Sequence, residues 1–262
     1  MNRRILKLSI PSIFANITVP LVGMVDIAVA GRLGNAAAIG AIAVGTMLFD
    51  LLYWNFGFLR IGTGGLTAQS YGRRNFRDSI KYITQGISVS LSSAFLILVV
   101  QYLFIWVAFR FIDCSPEVEA LSKQYFFIRV WAAPATLSLF VFKGWFIGMQ
   151  NTVSPMAIDV TVNVVNIVAS VYLGLYTDLG FAGIAWGTLI AQYSGLILSV
   201  VLFAMYYGKL FHYFNLKESL HVEDMKAFFK MNGNLFIRSL CFMLIYSGFT
   251  ALAAKYGDIE LA

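Results

Sequence analysis

Seven apolar runs, each long enough to cross a lipid bilayer, divide this chain: residues 8–31, 36–59, 82–109, 125–148, 156–176, 179–207 and 235–254. A hydrocarbon core about 30 Å thick takes roughly 20 helical residues. It supplies no water to backbone amides, so a spanning segment has to satisfy its own hydrogen bonds. The Leu, Ala, Met and Phe content of the runs favours helix, and 22 glycines suit close helix packing. The expectation is an all-α, polytopic membrane protein. Only 12% of residues are charged, about half the share of a soluble domain, which excludes an ordinary soluble core.

The net charge of +6 raises nucleic acid as a partner. Yet the bases sit in short connections between apolar runs, where they orient a membrane protein. One side collects Arg3, Arg4 and Lys7, then Arg73, Arg74, Arg77 and Lys81, then Lys209, Lys217, Lys226 and Lys230. The other holds Arg32, Arg110, Lys123 and Lys255 beside Asp113, Glu117, Glu119, Asp178, Asp258 and Glu260. That imbalance puts the amino terminus in the cytoplasm and the chain in the plasma (inner) membrane, with the lipid bilayer and not nucleic acid as partner. Arg3, Arg4 and Lys7 before an apolar stretch, with Ala28-Val29-Ala30 after it, imitate a signal peptide. The run is longer than a signal core and holds a carboxylate, so it reads as a retained first span. Cys114 and Cys241 fit neither a metal spacing nor a disulfide framework.

The carboxylate is Asp26, the sole charge in the first run. Near the middle of a span it costs about 2.5–3.5 kcal/mol on insertion scales, so such a group normally faces a cavity, a partner or a proton path. It can take a proton on one side and release it on the other, and when ionised it can hold a cation. A permanently paired structural carboxylate is the competing reading. Pro11 and Pro20 precede it on the same run and each removes a helical hydrogen bond, which would link its protonation to helix bending.

The fifth run presents Asp159, Asn163, Asn166 and Ser170 at spacings of four, three and four, which share one helical face. A polar stripe on a membrane helix looks into the bundle rather than at lipid. Asn166 and Ser170, then Asn163, are the candidates to meet Asp26; plain interhelical hydrogen bonding is the alternative. Lys143 lies eight residues before the turn at Asn151 and Asp159 eight after it, so antiparallel helices would bring the two to one depth as an ion pair. Separate reach of each charge to the interface is the competing arrangement. Asp50 and Arg60 are ten residues apart on the second run, too far to pair along it; Asp50 is a secondary candidate if it faces the interior. Tyr53, Trp54, Trp131 and Trp145 are candidates for a cation pocket, with packing or interfacial anchoring as the commoner roles.

Residues 208–230 form the longest polar connection and carry His212 and His221 as solvated loop residues. A displacement of 223 residues lays Lys230 on Lys7 and Ala251-Leu252-Ala253-Ala254-Lys255-Tyr256-Gly257-Asp258 on Ala28-Val29-Ala30-Gly31-Arg32-Leu33-Gly34-Asn35. Six spans between copies would make a parallel repeat about the membrane normal. The expected organisation is a six-helix lobe over 1–207, a cytoplasmic linker over 208–230, and the first helix of a truncated second lobe over 231–262.

The segment Asn16-Ile17-Thr18-Val19-Pro20-Leu21-Val22-Gly23-Met24-Val25-Asp26 and its close at Gly31 resemble the first helix of multidrug and toxic compound extrusion (MATE) transporters, in their DNA-damage-inducible F-like branch. Further matches follow in order: Leu59-Arg60 with Gly62-Thr63-Gly64-Gly65; Ile128-Arg129-Val130-Trp131 with Ala133-Pro134; Gly144-Trp145 with Gln150-Asn151; Asn163 with Asn166; and Gly183 with Gly187-Thr188. The resemblance implies a twelve-helix antiporter of two lobes, expelling small organic cations or amphiphiles against protons or sodium. The second lobe would then be a missing partner of this chain. Many relatives carry an aspartate where Ser170 stands, and its absence implies a proton rather than sodium as the coupling ion. No other cofactor is implied.

Two other readings remain. A lipid-linked precursor flippase of the same broad fold would need a large cavity lined by bases, and these runs hold few. A structural membrane subunit would have no reason to keep Asp26. No metal-ligand cluster, serine–histidine set or phosphate-cradling glycine loop points to an enzyme.

Overall fold

A computed structural model of the chain describes residues 20–34 and 36–253, and every regular element among them is helical. α1 is described over 20–32. It is followed by α2 (Ala36–Trp54), α3 (Gly57–Gly72), α4 (Phe76–Ala108), α5 (Pro116–Arg129), α6 (Ala133–Gly148), α7 (Val153–Leu175), α8 (Phe181–Tyr207), α9 (Leu216–Ser219) and α10 (Val222–Ala253). Five stretches are long and apolar enough to cross a membrane: Ala36–Gly72, Phe76–Ala108, Pro116–Gly148, Val153–Leu175 and Phe181–Tyr213. They correspond to the second to sixth apolar runs. The start of the first run and residues 254–262, with most of the second repeat copy, lie outside the described residues. Large apolar side chains face outward along these helices, as Phe95, Leu96, Val99, Tyr102, Leu103 and Trp106 do on α4. Such a surface suits lipid and not water.

The helices depart from the apolar runs where polar residues are helical too. The span expected over 36–59 is two helices end to end, broken by a turn at Asn55 and Phe56 and continuing to Gly72. Polar, glycine-rich α3 holds because it lies backbone to backbone against α6: a Cβ on Gly148 would sit 2.7 Å from the Gly64 carbonyl oxygen. The span expected from 125 starts at Pro116. Ser115 caps it by accepting from the Val118 amide at 3.4 Å, with proline and acidic residues in the first turn. α5 then gives way to a 3-10 turn over Val130–Ala132. Pro134 just beyond has no amide hydrogen, and its ring obstructs the carbonyl one turn back.

α3 and α6 end alike. Arg74 and Gln150 take φ values of 57° and 59°, and the amides of Asn75 and Asn151 reach back to the Ser70 and Phe146 carbonyls, both at 2.9 Å. The same asparagines cap the next helices, accepting from the Asp78 and Ser154 amides at 3.2 and 3.0 Å. These two turns and residues 208–221 make up the basic end of the bundle.

The connection expected over 208–230 is shorter than that, because α10 begins at Val222. What precedes it is a 3-10 stretch, Gly208–Tyr213, and α9, with His212 and His221 exposed. Arg77 grips both Glu218 oxygens at 2.7 Å, Lys81 pairs with Asp224 at 2.6 Å, and Gln85 donates to the Ser219 carbonyl at 2.9 Å. The start of α4 therefore anchors the whole connection.

Candidate functional site

Asp26 sits six residues before the end of α1, at the end of the bundle away from the basic turns, and is 7% exposed. The Ser170 hydroxyl on α7 lies within hydrogen-bonding reach of its carboxylate. Its Oδ1 has no partner among the described residues. One turn from Ser170, the Asn166 side-chain amide donates to Thr188 Oγ1 of α8 at 3.0 Å, leaving Asn166 Oδ1 buried and also without a partner among the described residues. Thr188 donates to the Ile184 carbonyl at 3.3 Å, and Ser170 reaches the same carbonyl at 3.5 Å.

Small residues bring these helices together. A Cβ on Gly187 would lie 2.6 Å from the Ser170 amide nitrogen, and one on Gly174 2.7 Å from Val29 Cγ1. α8 and α1 thus close on α7 from two sides, at the level where it carries Asn166 and Ser170.

A charge completes the setting. From the last turn of α5, Arg129 donates to the Tyr125 hydroxyl at 2.7 Å. Its guanidinium lies over the rings of Phe49 at 4.5 Å and Tyr125 at 5.4 Å. Tyr125 is 1% exposed and its hydroxyl is in reach of Thr188. Arg129 is within electrostatic range of Asp26 and Tyr53. A polar line therefore runs from Arg129 through Tyr125 and Thr188 to Asn166, with Ser170 and Asp26 beside it. Arg129 and Thr188 were not among the residues singled out from sequence as candidates. The signal for Arg129 was a second charge, besides Lys143, inside the run 125–148; no spacing rule pointed to Thr188.

Other candidates lie elsewhere. The stripe on α7 divides: Asn166 and Ser170 meet Asp26, Asn163 is half-buried, and Asp159 turns away to pair with Lys143 at the basic end. Asp50 does not face the interior. α2 buries Ala38, Ala41, Ile42, Gly45, Leu48 and Phe49, and that face leaves Asp50 exposed. It lines a groove of about 860 Å³ with Trp54, Ile61, Leu235, Arg238 and Phe242. Arg60 is exposed as well, and the break at Asn55 and Phe56 separates its helix from that of Asp50. Of the aromatics, Tyr53 lies near Arg129. Trp145 is fully buried and donates to the Ser79 carbonyl at 2.9 Å, a packing role, and Trp54 and Trp131 face outward. Pro20 is the first described residue; Pro11, and with it any bend between the two, lies outside the described residues.

Two buried acceptor oxygens without partners, Asp26 Oδ1 and Asn166 Oδ1, beside two hydroxyls make a set that can take up a proton or a hard monovalent cation. Among the described residues no group of three or more His, Cys, Asp or Glu gathers to hold a metal ion.

Comparison with known proteins gives a consistent result. The MatE family model matches residues 11–172. DNA damage-inducible protein F of Escherichia coli is 30% identical over 261 residues, covering all of this chain and 57% of that protein. Protein DETOXIFICATION 47, chloroplastic, of Arabidopsis thaliana is 26% identical over 192 residues, covering 72% of this chain and 35% of its own length. The fold matches a crystal structure of the Vibrio cholerae MATE transporter VcmN in a bent form with a TM-score of 0.85 at 19% identity, over 99% of this chain and 58% of that one. The chain thus spans little more than half the length of these relatives, or less.

Proposed function

The chain belongs to the MatE family of transporters, and from that premise we propose that it is the amino-terminal lobe, with one further helix, of a twelve-helix proton-coupled antiporter exporting organic cations or amphiphiles. All seven apolar runs span the bilayer on this reading. The basic end is cytoplasmic, so Asp26 lies toward the outer face.

The observation that carries the reading is the Asp26 carboxyl: buried, with Oδ1 unpartnered, and next to Ser170 and the Asn166–Thr188 pair. Ionised, it attracts a cationic cargo or a proton into the lobe. Protonated from the outer side, it loses its charge and the need for polar neighbours, so α1 repacks against α7 and cargo affinity falls. Release of the proton toward the cytoplasm restores the starting arrangement. Only a group whose charge is poorly solvated in one state and neutral in the other links a proton gradient to packing in this way. Ser170 supports the proton over sodium, since it contributes a hydroxyl where a second carboxylate would favour a metal cation.

The test is Asp26→Asn in the full-length protein reconstituted in vesicles. Proton-driven efflux of ethidium should fall to background while insertion and yield stay unchanged. Undiminished efflux would sink the proposal.

A further inference from the structure

The cluster around Asp26 already contains a fixed positive charge. Arg129 cannot shed its proton under physiological conditions. It is held from three sides: by the Tyr125 hydroxyl at 2.7 Å, by the Phe49 face at 4.5 Å and by the Tyr125 face at 5.4 Å. Phe49 and Tyr125 are each 1% exposed, so the guanidinium is clamped by rigid core residues. Only through Tyr125 and Thr188 does it connect to Asn166. The charged and titratable groups facing it are Asp26 of α1, Tyr53 of α2 and Tyr125 of its own α5; α7 contributes only the neutral Asn166 and Ser170.

We infer that Arg129 is the residue that selects the coupling ion, acting as a built-in cation that balances ionised Asp26 and repels sodium from the oxygens of Asp26, Asn166, Ser170 and Thr188. Those oxygens are of the kind a sodium ion takes, and two of them, Asp26 Oδ1 and Asn166 Oδ1, are buried without partners. In a low-dielectric interior a neighbouring unit charge of the same sign weakens cation binding steeply. A proton is affected far less, because it ends in a covalent O–H bond on Asp26 and leaves the site holding no more positive charge than Arg129 itself. The inference rests on the antiporter reading for its physiological meaning, but the binding it describes can be read without transport.

The experiment measures ²²Na⁺ binding to the purified full-length protein, and ethidium efflux from proteoliposomes under a proton or a sodium gradient. Wild type, Arg129→Gln, Arg129→Met, Arg129→Lys and Asp26→Asn are compared. Wild type should bind no sodium at 100 mM and be driven by protons alone. Both neutral variants should gain sodium affinity by about tenfold or more, the scale of one screened unit charge, and lose it again when combined with Asp26→Asn. Arg129→Lys, keeping the charge, should resemble wild type. Sodium binding by wild type overturns the inference whether or not the variants fold. So does a folded neutral variant that binds no sodium, or an Arg129→Lys that behaves like Arg129→Gln, which would mark Arg129 as packing only. If instead Asp26→Asn keeps full proton-driven efflux while the neutral variants gain sodium binding, the antiporter reading fails and the assignment of Arg129 stands.

Discussion

Lys143 of α6 and Asp159 of α7 form an ion pair across the turn that joins their helices, with side chains 16% and 29% exposed. Each stands eight residues from Asn151, and that equality brings them to one depth. The turn is tight, with Gln150 in the left-handed region and Asn151 capping α7, so the helices leave it in fixed register. Two charges with little water access compensate one another, and either alone would not be tolerated as easily.

Removing one partner should therefore cost more than removing both. Lys143→Leu or Asp159→Leu alone is expected to destabilise the bundle by about 1.5–3 kcal/mol, the worth of a hydrogen bond to a charged group. The double variant should recover most of that loss. Thermal unfolding in detergent measures it. Additive losses would mean that the charges do not depend on each other.

A different substitution tests the polar line at its narrowest point. Thr188→Val keeps the shape and removes the hydroxyl that accepts from Asn166 and is in reach of Tyr125. The Asn166 amide is then left buried without its partner, a loss of about 1–3 kcal/mol at the site. Proton-driven efflux should drop by about tenfold or more, with yield in the membrane close to wild type. Efflux at the wild-type rate would show that the line from Arg129 to Asn166 plays no part in coupling.

What could be read from sequence and what could not divide along physical lines. Asn166 and Ser170 were legible because they are one helical turn apart, and helical period is local information. The Lys143–Asp159 pair was legible because a short turn fixes the register of its two helices. Arg129 and Thr188 were hidden for the opposite reason. Their place beside Asp26 depends on how closely α8 approaches α7 at Gly187, and on where Pro134 ends α5. Asp50 misled because an acid within an apolar run looks functional, whereas the inward face of α2 is set by its small and aromatic residues. α3 was missed as helix because hydropathy marks contact with lipid, and α3 is held by contact with α6.

The orientation of the bundle is open to a chemical test through Cys114, in the connection between α4 and α5. If the basic end is cytoplasmic, this thiol faces the outside. In a Cys241→Ser background, a membrane-impermeant maleimide should label Cys114 on intact cells, and labelling only after permeabilisation would invert the topology. The pH dependence adds a check on the local structure. Partial burial, then the negative charges of Glu119 and Asp113, push the thiol up from its ordinary range, and Lys123 opposes them. The reactive species is the thiolate. A raised value means less thiolate at neutral pH, so labelling at pH 7 should be slower than for a free cysteine and should rise about tenfold per pH unit until the group is titrated. Glu119→Gln removes one of the raising charges and also the 2.5 Å contact that holds Lys123. Both changes favour the thiolate, so the variant should label faster than wild type at pH 7, and an unchanged rate would show that these charges do not act on Cys114.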